Sequence, residues 1–175
     1  LVSIEQLRWL PMEIGPTFGA IAIERLRTFG GKAHAVALHA ARMQQTLDFL
    51  LSSAPIRTLQ LECMIERVVD ANETIIQDQG DVSIVVLAAP TGADQSLTVM
   101  CYLEKLPWAM LSDRYRRGID LVLSDTTTVP ETCWPTSMKV RSRLHYFLAD
   151  QRANQIVPGA SALLKNTDGS VGDTS

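Results

Sequence analysis

ERLRTFGGKAHAVALHAARM, residues 24–43, carries two hydrophobic periods in one short run. Its first half, read with the residues before it as AIAIERLRTF (20–29), alternates apolar and polar side chains, the pattern of a strand with one buried face. Gly30 and Gly31 supply a turn, and KAHAVA (32–37) is expected to return as a partner strand. From Leu38 to about Ser53 the spacing becomes helical. Met43, Leu47, Leu50 and Leu51 share a core-facing stripe there, and Pro55 closes the segment. His39 and Arg42, three positions apart, lie on one face of that helix. An arginine in a helix is ordinarily solvated or ion-paired. Its other use is as an anion clamp, because guanidinium grips phosphate with a planar, two-pronged fork.

Downstream, Thr58 to Gln79 fits a single amphipathic helix through Leu61, Met64, Ile65, Val68, Ile75 and Ile76, and Gly80 ends it. DVSIVVLAAP (81–90) reads as a buried strand, and QSLTVMCYLE (95–104) as its alternating neighbour across a polar, Gly-containing loop. DRYRRG (113–118) is expected to be a solvated turn before a strand at GIDLVLSD (118–125). TTTVPETCWPTS (126–137) breaks all periodicity and reads as a linker. Beyond it, roughly Met138 to Asn154 is predicted helical with Leu144, Phe147 and Leu148 facing inward. A strand at GASALLKN (159–166) then runs into an Asp168-Gly169 turn, and SVGDTS starts the next strand. Helices and strands thus alternate loosely, an α+β or α/β pattern.

The bulk properties agree with a globular domain: 175 residues, 46% hydrophobic and 20% charged. A formal net charge of −3 gives no electrostatic reason to expect nucleic acid or an anionic membrane as partner. The longest apolar run, SIVVLAAP, falls far short of the roughly 18 residues of a membrane span. The N-terminus has no secretory pattern, and it lacks an initiator Met, which suggests a processed chain or a fragment. Cys63, Cys101 and Cys133 are odd in number and widely spaced, as expected of free thiols in a reducing cytoplasm. With only three scattered histidines as well, no metal site is predicted.

Two further residues bear on chemistry. Lys139, directly after the linker, is expected to head a helix. A lysine there is usually a surface residue; the alternative is a Schiff-base lysine, once desolvation lets its ammonium lose a proton. Asp173, just past the Asp168-Gly169 turn, is ordinarily an exposed strand-end carboxylate.

The order of these pieces resembles the class IV aminotransferases, the fold-type IV pyridoxal-phosphate enzymes. That family comprises branched-chain and D-amino acid aminotransferases and aminodeoxychorismate lyases. Glu24-Arg25-Leu26-Arg27, the Gly30-Gly31 turn and His39 to Met43 match its E-x-L-R strand, glycine turn and H-x-x-R-[LM] helix. Lys139, Ser142, Arg143 and Leu144 match K-x-x-[NS]-R-L, which is similar to the lyase branch. NTDGSVGDTS matches the turn before the family's pyridine-pairing glutamate, with Asp173 at the glutamate position.

The resemblance implies a small α/β domain at 1–125, a linker at 126–136 and the opening of a larger cofactor domain at 137–175, so the chain is expected to be a C-terminally truncated fragment. It implies that Arg42 holds the phosphate of pyridoxal 5'-phosphate, that Lys139 forms the Schiff base and that Asp173 pairs with the ring nitrogen. The implied activity is amino-group transfer between an amino acid and a 2-oxo acid by a cytoplasmic homodimer. The same residues allow aminodeoxychorismate lyase chemistry, and a non-catalytic α+β interaction domain is the reading from a different class.

Overall fold

In the computed structural model, residues 1–51, 56–91 and 96–174 are described. The expected closure at Pro55 and the start of the QSLTVMCYLE strand at Gln95 lie outside them.

The alternating stretch forms β1 (Ala22–Phe29), with Ala22, Glu24, Leu26 and Thr28 buried on one face. Only Lys32–Ala33 returns as β2. Ala35, the one described non-glycine residue with positive φ (53°), then turns the chain into a left-handed step, and helix α2 (Val36–Leu50) starts earlier than expected. Before β1, a short helix α1 (Ile14–Phe18) leads into the sheet. The expected single helix at 58–79 is two: α3 (Thr58–Asp70) and α4 (Glu73–Gln79). Asn72 separates them, its side-chain amide donating to the Val68 carbonyl at 2.7 Å. Such local side-chain bonds compete with the helical ladder.

β3 (Val82–Pro90) and β4 (Leu97–Lys105) complete an antiparallel sheet of order β2-β1-β3-β4. Its core joins Leu26, Ile84 and Val86 from the sheet to Met43 and Leu47 from α2 and Leu61 and Ile65 from α3. Each fully buried side chain of this size contributes about 1.5–3 kcal/mol through removal from water.

DRYRRG is not a turn. Trp108–Arg117 forms helix α5, preceded by Pro107 and followed by Gly118. β5 (Leu121–Thr127) then pairs in parallel with β6 (Ser161–Lys165), and β7 (Val171–Thr174) pairs antiparallel on β6's other side, giving a second sheet. Helix α6 (Leu144–Ile156) makes the crossover between β5 and β6.

Two corrections concern this region. Met138–Arg143 is not the first turn and a half of a helix: Val140 bridges to Ala22, and the backbone N–H of Ile23 donates to Lys139 O while that of Arg141 donates to Ile21 O. The backbone of 139–141 is satisfied by the start of β1, so the helix waits until Leu144. Nor do Leu144, Phe147 and Leu148 face inward; they are 69%, 59% and 44% exposed. The buried face of α6 is Ala149 and Ala153, packed on Ala162 and Leu164, and these small side chains bring the helix close to the sheet.

Compactness divides the chain into Leu1–Leu106 with Met138–Ser142, and Pro107–Ser137 with Arg143–Ser175. The expected boundary after residue 125 falls within β5, a strand of the second sheet.

Candidate functional site

Arg42 and Lys139 belong to the first unit and Asp173 to the second. Within the first, the site is built on Glu24. Its parity along β1 is that of Ala22, Leu26 and Thr28, so its carboxylate points into the apolar interior and is 1% exposed. A buried carboxylate is costly unless paired. Glu24 accepts from Arg42 Nε on Oε1 and from Arg42 Nη2 on Oε2, both at 2.6 Å, and His39 Nδ1 lies 2.8 Å from Oε2. The i, i+3 spacing on α2 delivers both partners to one carboxylate. Hydrogen bonding to Glu24 raises the pKa of Arg42, so the guanidinium is firmly cationic.

A guanidinium has five N–H donors. Glu24 takes one from Nε and one from Nη2, which leaves three hydrogens uncommitted among the described residues, two of them forming a second fork on the Nη1/Nη2 edge. The Arg42 side chain is 44% exposed, so that edge is open to a second oxyanion.

Arg42 and Lys139 are joined through one buried hydroxyl. Thr46 Oγ1 donates to the Arg42 carbonyl at 3.1 Å, one turn back on α2, and accepts the backbone N–H of Lys139 at 3.3 Å. The Lys139 main chain is thus held on both sides, by α2 and by β1. Its side chain is half-buried and makes no hydrogen bond or ion pair among the described residues. Next to it, Ser142 Oγ donates to the Gly19 carbonyl at 2.7 Å. A primary amine with a fixed root and no counter-ion among the described residues suits covalent capture of an aldehyde, and a half-open guanidinium fork suits a phosphate monoester.

In the second unit, Asp173 stands exposed on β7. Thr174 N–H donates to its Oδ1 at 2.8 Å and the Tyr146 hydroxyl to its Oδ2 at 3.2 Å. Arg143 lies 4.3 Å over the Tyr146 ring, a cation–π contact. Burial, and then the Asp173 charge, raise the Tyr146 phenol pKa, so it stays a donor. An acceptor-only carboxylate at this place suits a protonated ring nitrogen.

Glu24, Thr46 and Tyr146 are the residues that sequence reasoning leaves without a role. Glu24 was detectable: a charged residue at an inward parity position of a half-buried strand calls for a cationic partner. No group of His, Cys, Asp or Glu among the described residues could hold a metal ion, and no helix there is long and apolar enough to cross a membrane.

Comparison with known proteins bears on the family and the fold. The family model for amino-transferase class IV matches residues 22–175. Among solved structures, the chain is similar to the branched-chain amino acid aminotransferase of Escherichia coli at 14% identity and a TM-score of 0.84, covering 99% of this chain and 59% of that one. It is similar to a fold IV-transaminase of Curtobacterium pusillum at 14% identity and a TM-score of 0.83, with 99% and 60% covered. A hypothetical aminotransferase of Mycobacterium tuberculosis, solved in its PLP-bound form, matches at 14% identity and a TM-score of 0.78, with 99% and 61% covered. These likenesses establish the fold, that of the fold-type IV aminotransferases, and the chain spans about 60% of the length of the solved chains it matches. No match was found among curated proteins.

Proposed function

The chain belongs to the class IV aminotransferase family, whose members use pyridoxal phosphate, and from that premise we propose that it serves as an aminotransferase moving an amino group between an amino acid and a 2-oxo acid, in the manner of a branched-chain aminotransferase. The observation that carries this reading is the bridge from Arg42 through Thr46 to Lys139, which ties an open oxyanion fork to an uncommitted amine. In this reading Arg42 would hold the cofactor phosphate. Lys139 Nζ would hold the cofactor's aldehyde carbon and would be the base that moves the proton of the substrate Cα. Asp173, which accepts from the Tyr146 hydroxyl, would keep the ring nitrogen protonated. When bound, the cofactor supplies an aldehyde for the amine and a ring that takes up electrons from Cα. A cytoplasmic homodimer is part of the same proposal.

Lys139→Ala in the full chain tests it. The expected result is loss of the visible absorbance that pyridoxal phosphate acquires on covalent capture; retention of that absorbance overturns the role of Lys139. A wild-type chain that never acquires it would support the non-catalytic interaction domain instead.

The run Lys139-Val-Arg-Ser-Arg-Leu144 favours a second reading, aminodeoxychorismate lyase. The same lysine would then serve elimination rather than transfer. Amino transfer to 2-oxoglutarate set against pyruvate release from aminodeoxychorismate separates the two.

A further inference from the structure

Among the described residues of the first unit, Glu24 is the most deeply buried charged side chain, and the chemistry proposed above makes no use of it. Its two oxygens occupy the Nε/Nη2 side of Arg42, and His39 Nδ1 lies 2.8 Å from Oε2. An arginine side chain has four rotatable bonds, and fixing it costs rotamer entropy on the scale of its side-chain freedom. Here that cost is met on folding, by a carboxylate rooted in the central part of a sheet. Any ligand that arrives later meets a guanidinium already aimed.

We infer that Glu24 is the positioning residue for the oxyanion fork at Arg42, fixing the Nη1/Nη2 edge for a phosphate monoester while His39 holds Glu24 in place; this rests on the reading of Arg42 as the phosphate-binding residue. The carboxylate does not touch the ligand. It acts through orientation, because two donors directed inward leave the opposite edge as the only remaining fork. A neutral amide at position 24 cannot repeat this. Its oxygen can accept from one of the two Arg42 nitrogens, but its NH2 group opposes the other, so the guanidinium keeps one anchor and its fork is no longer fixed.

The test compares pyridoxal phosphate with pyridoxal, which has the same aldehyde and ring but no phosphate. Dissociation constants for both are measured on the full chain by absorbance, with thermal melts as a check on folding. Glu24→Gln is expected to weaken pyridoxal phosphate roughly 10- to 100-fold, the scale of one charge-assisted hydrogen bond, and to leave pyridoxal within about 3-fold. Loss of both ligands in equal measure marks Glu24 as merely structural and overturns the inference. Arg42→Lys keeps the charge opposite Glu24 but has no second fork, and it tests the underlying reading. If Arg42→Lys lowers the phosphate preference and Glu24→Gln does not, the inference fails while the reading of Arg42 stands. If Arg42→Lys leaves the preference unchanged, the reading itself fails. Should Glu24→Gln not fold, Glu24→Asp keeps the buried charge on a shorter arm and decides the matter by the same ratio: a reduced preference supports the inference, an unchanged one overturns it.

Discussion

The backbone N–H of Lys139 donates to Thr46 Oγ1 across 93 residues of sequence, at 3.3 Å. Because Thr46 is 1% exposed, water cannot replace it. Thr46→Val keeps the shape and removes the hydroxyl, leaving a half-buried N–H without its acceptor. The expected cost is about 1–3 kcal/mol, read as a lower midpoint in denaturant unfolding. Amide exchange at Lys139 should quicken by more than at Ile23, whose own hydrogen bond to Lys139 O remains. Equal protection in both proteins would show that the hydroxyl does not hold this segment.

Much of this was legible in the sequence and some was not, for physical reasons. β1, α2, β3 and β4 each announce themselves by a local hydrophobic period, and the pairing of E-x-L-R with H-x-x-R proves to be one contact, Glu24 with Arg42. Periodicity puts Lys139 on a helix because its true partners, Thr46, Ile21 and Ile23, are distant in sequence. Composition alone makes Met138–Arg143 look continuous with α6. In α5 the punctuation is present, Pro107 before and Gly118 after, but the run of arginines looks like a surface turn. The inward face of α6 escapes a reading by hydrophobicity because close helix–sheet approach favours alanine there over the larger Leu144, Phe147 and Leu148.

Asp81 ties the tip of the β1–β2 hairpin to the start of β3. Its Oδ1 accepts from Gly31 N at 3.0 Å and Thr28 Oγ1 at 2.9 Å, and its Oδ2 accepts from Gly30 N at 3.2 Å. The hydrogen bond from Gly31, foremost, holds its pKa below the ordinary carboxylate value. With the folded pKa depressed, this stabilisation is fully present above the unfolded value of about 3.9 and is lost as pH falls through the folded value. Asp81→Ala is therefore expected to lower the melting temperature at pH 7, and the gap from wild type should narrow below about pH 4. A gap that stays constant down to about pH 2.5 would mean that the charge contributes nothing.

The three cysteines should separate cleanly by reactivity. Cys63 and Cys133 are exposed, whereas burial pushes the Cys101 thiol on β4 up to about 12. The thiolate is the reactive form. Iodoacetamide at about pH 8 followed by peptide mapping is expected to modify Cys63 and Cys133 in the native protein and Cys101 only after denaturation. Native labelling of Cys101 at the rate of the other two would contradict its packing against the hydrophobic core.

Gly169 lies in the β6–β7 turn and Gly172 on β7, and each disfavours a side chain for a different reason. Gly169 has φ +86° with open space around it, so Gly169→Ala costs only backbone strain, about 1 kcal/mol. At Gly172 a Cβ would stand 2.9 Å from the Leu164 carbonyl oxygen, 2.8 Å from Thr128 Cγ2 and 3.1 Å from Asn166 Oδ1. The carbonyl belongs to β6 and cannot swing aside, so Gly172→Ala must push β7 outward, with an expected cost of about 1–3 kcal/mol. Asp173 is the next residue, and its bond to the Tyr146 hydroxyl moves with the strand. Gly172→Ala should therefore disturb the ultraviolet titration of Tyr146, lowering its raised pKa as the Asp173 charge withdraws, while Gly169→Ala leaves that titration unchanged. If both variants shift Tyr146 alike, the turn rather than the close approach of β7 to β6 sets the position of Asp173.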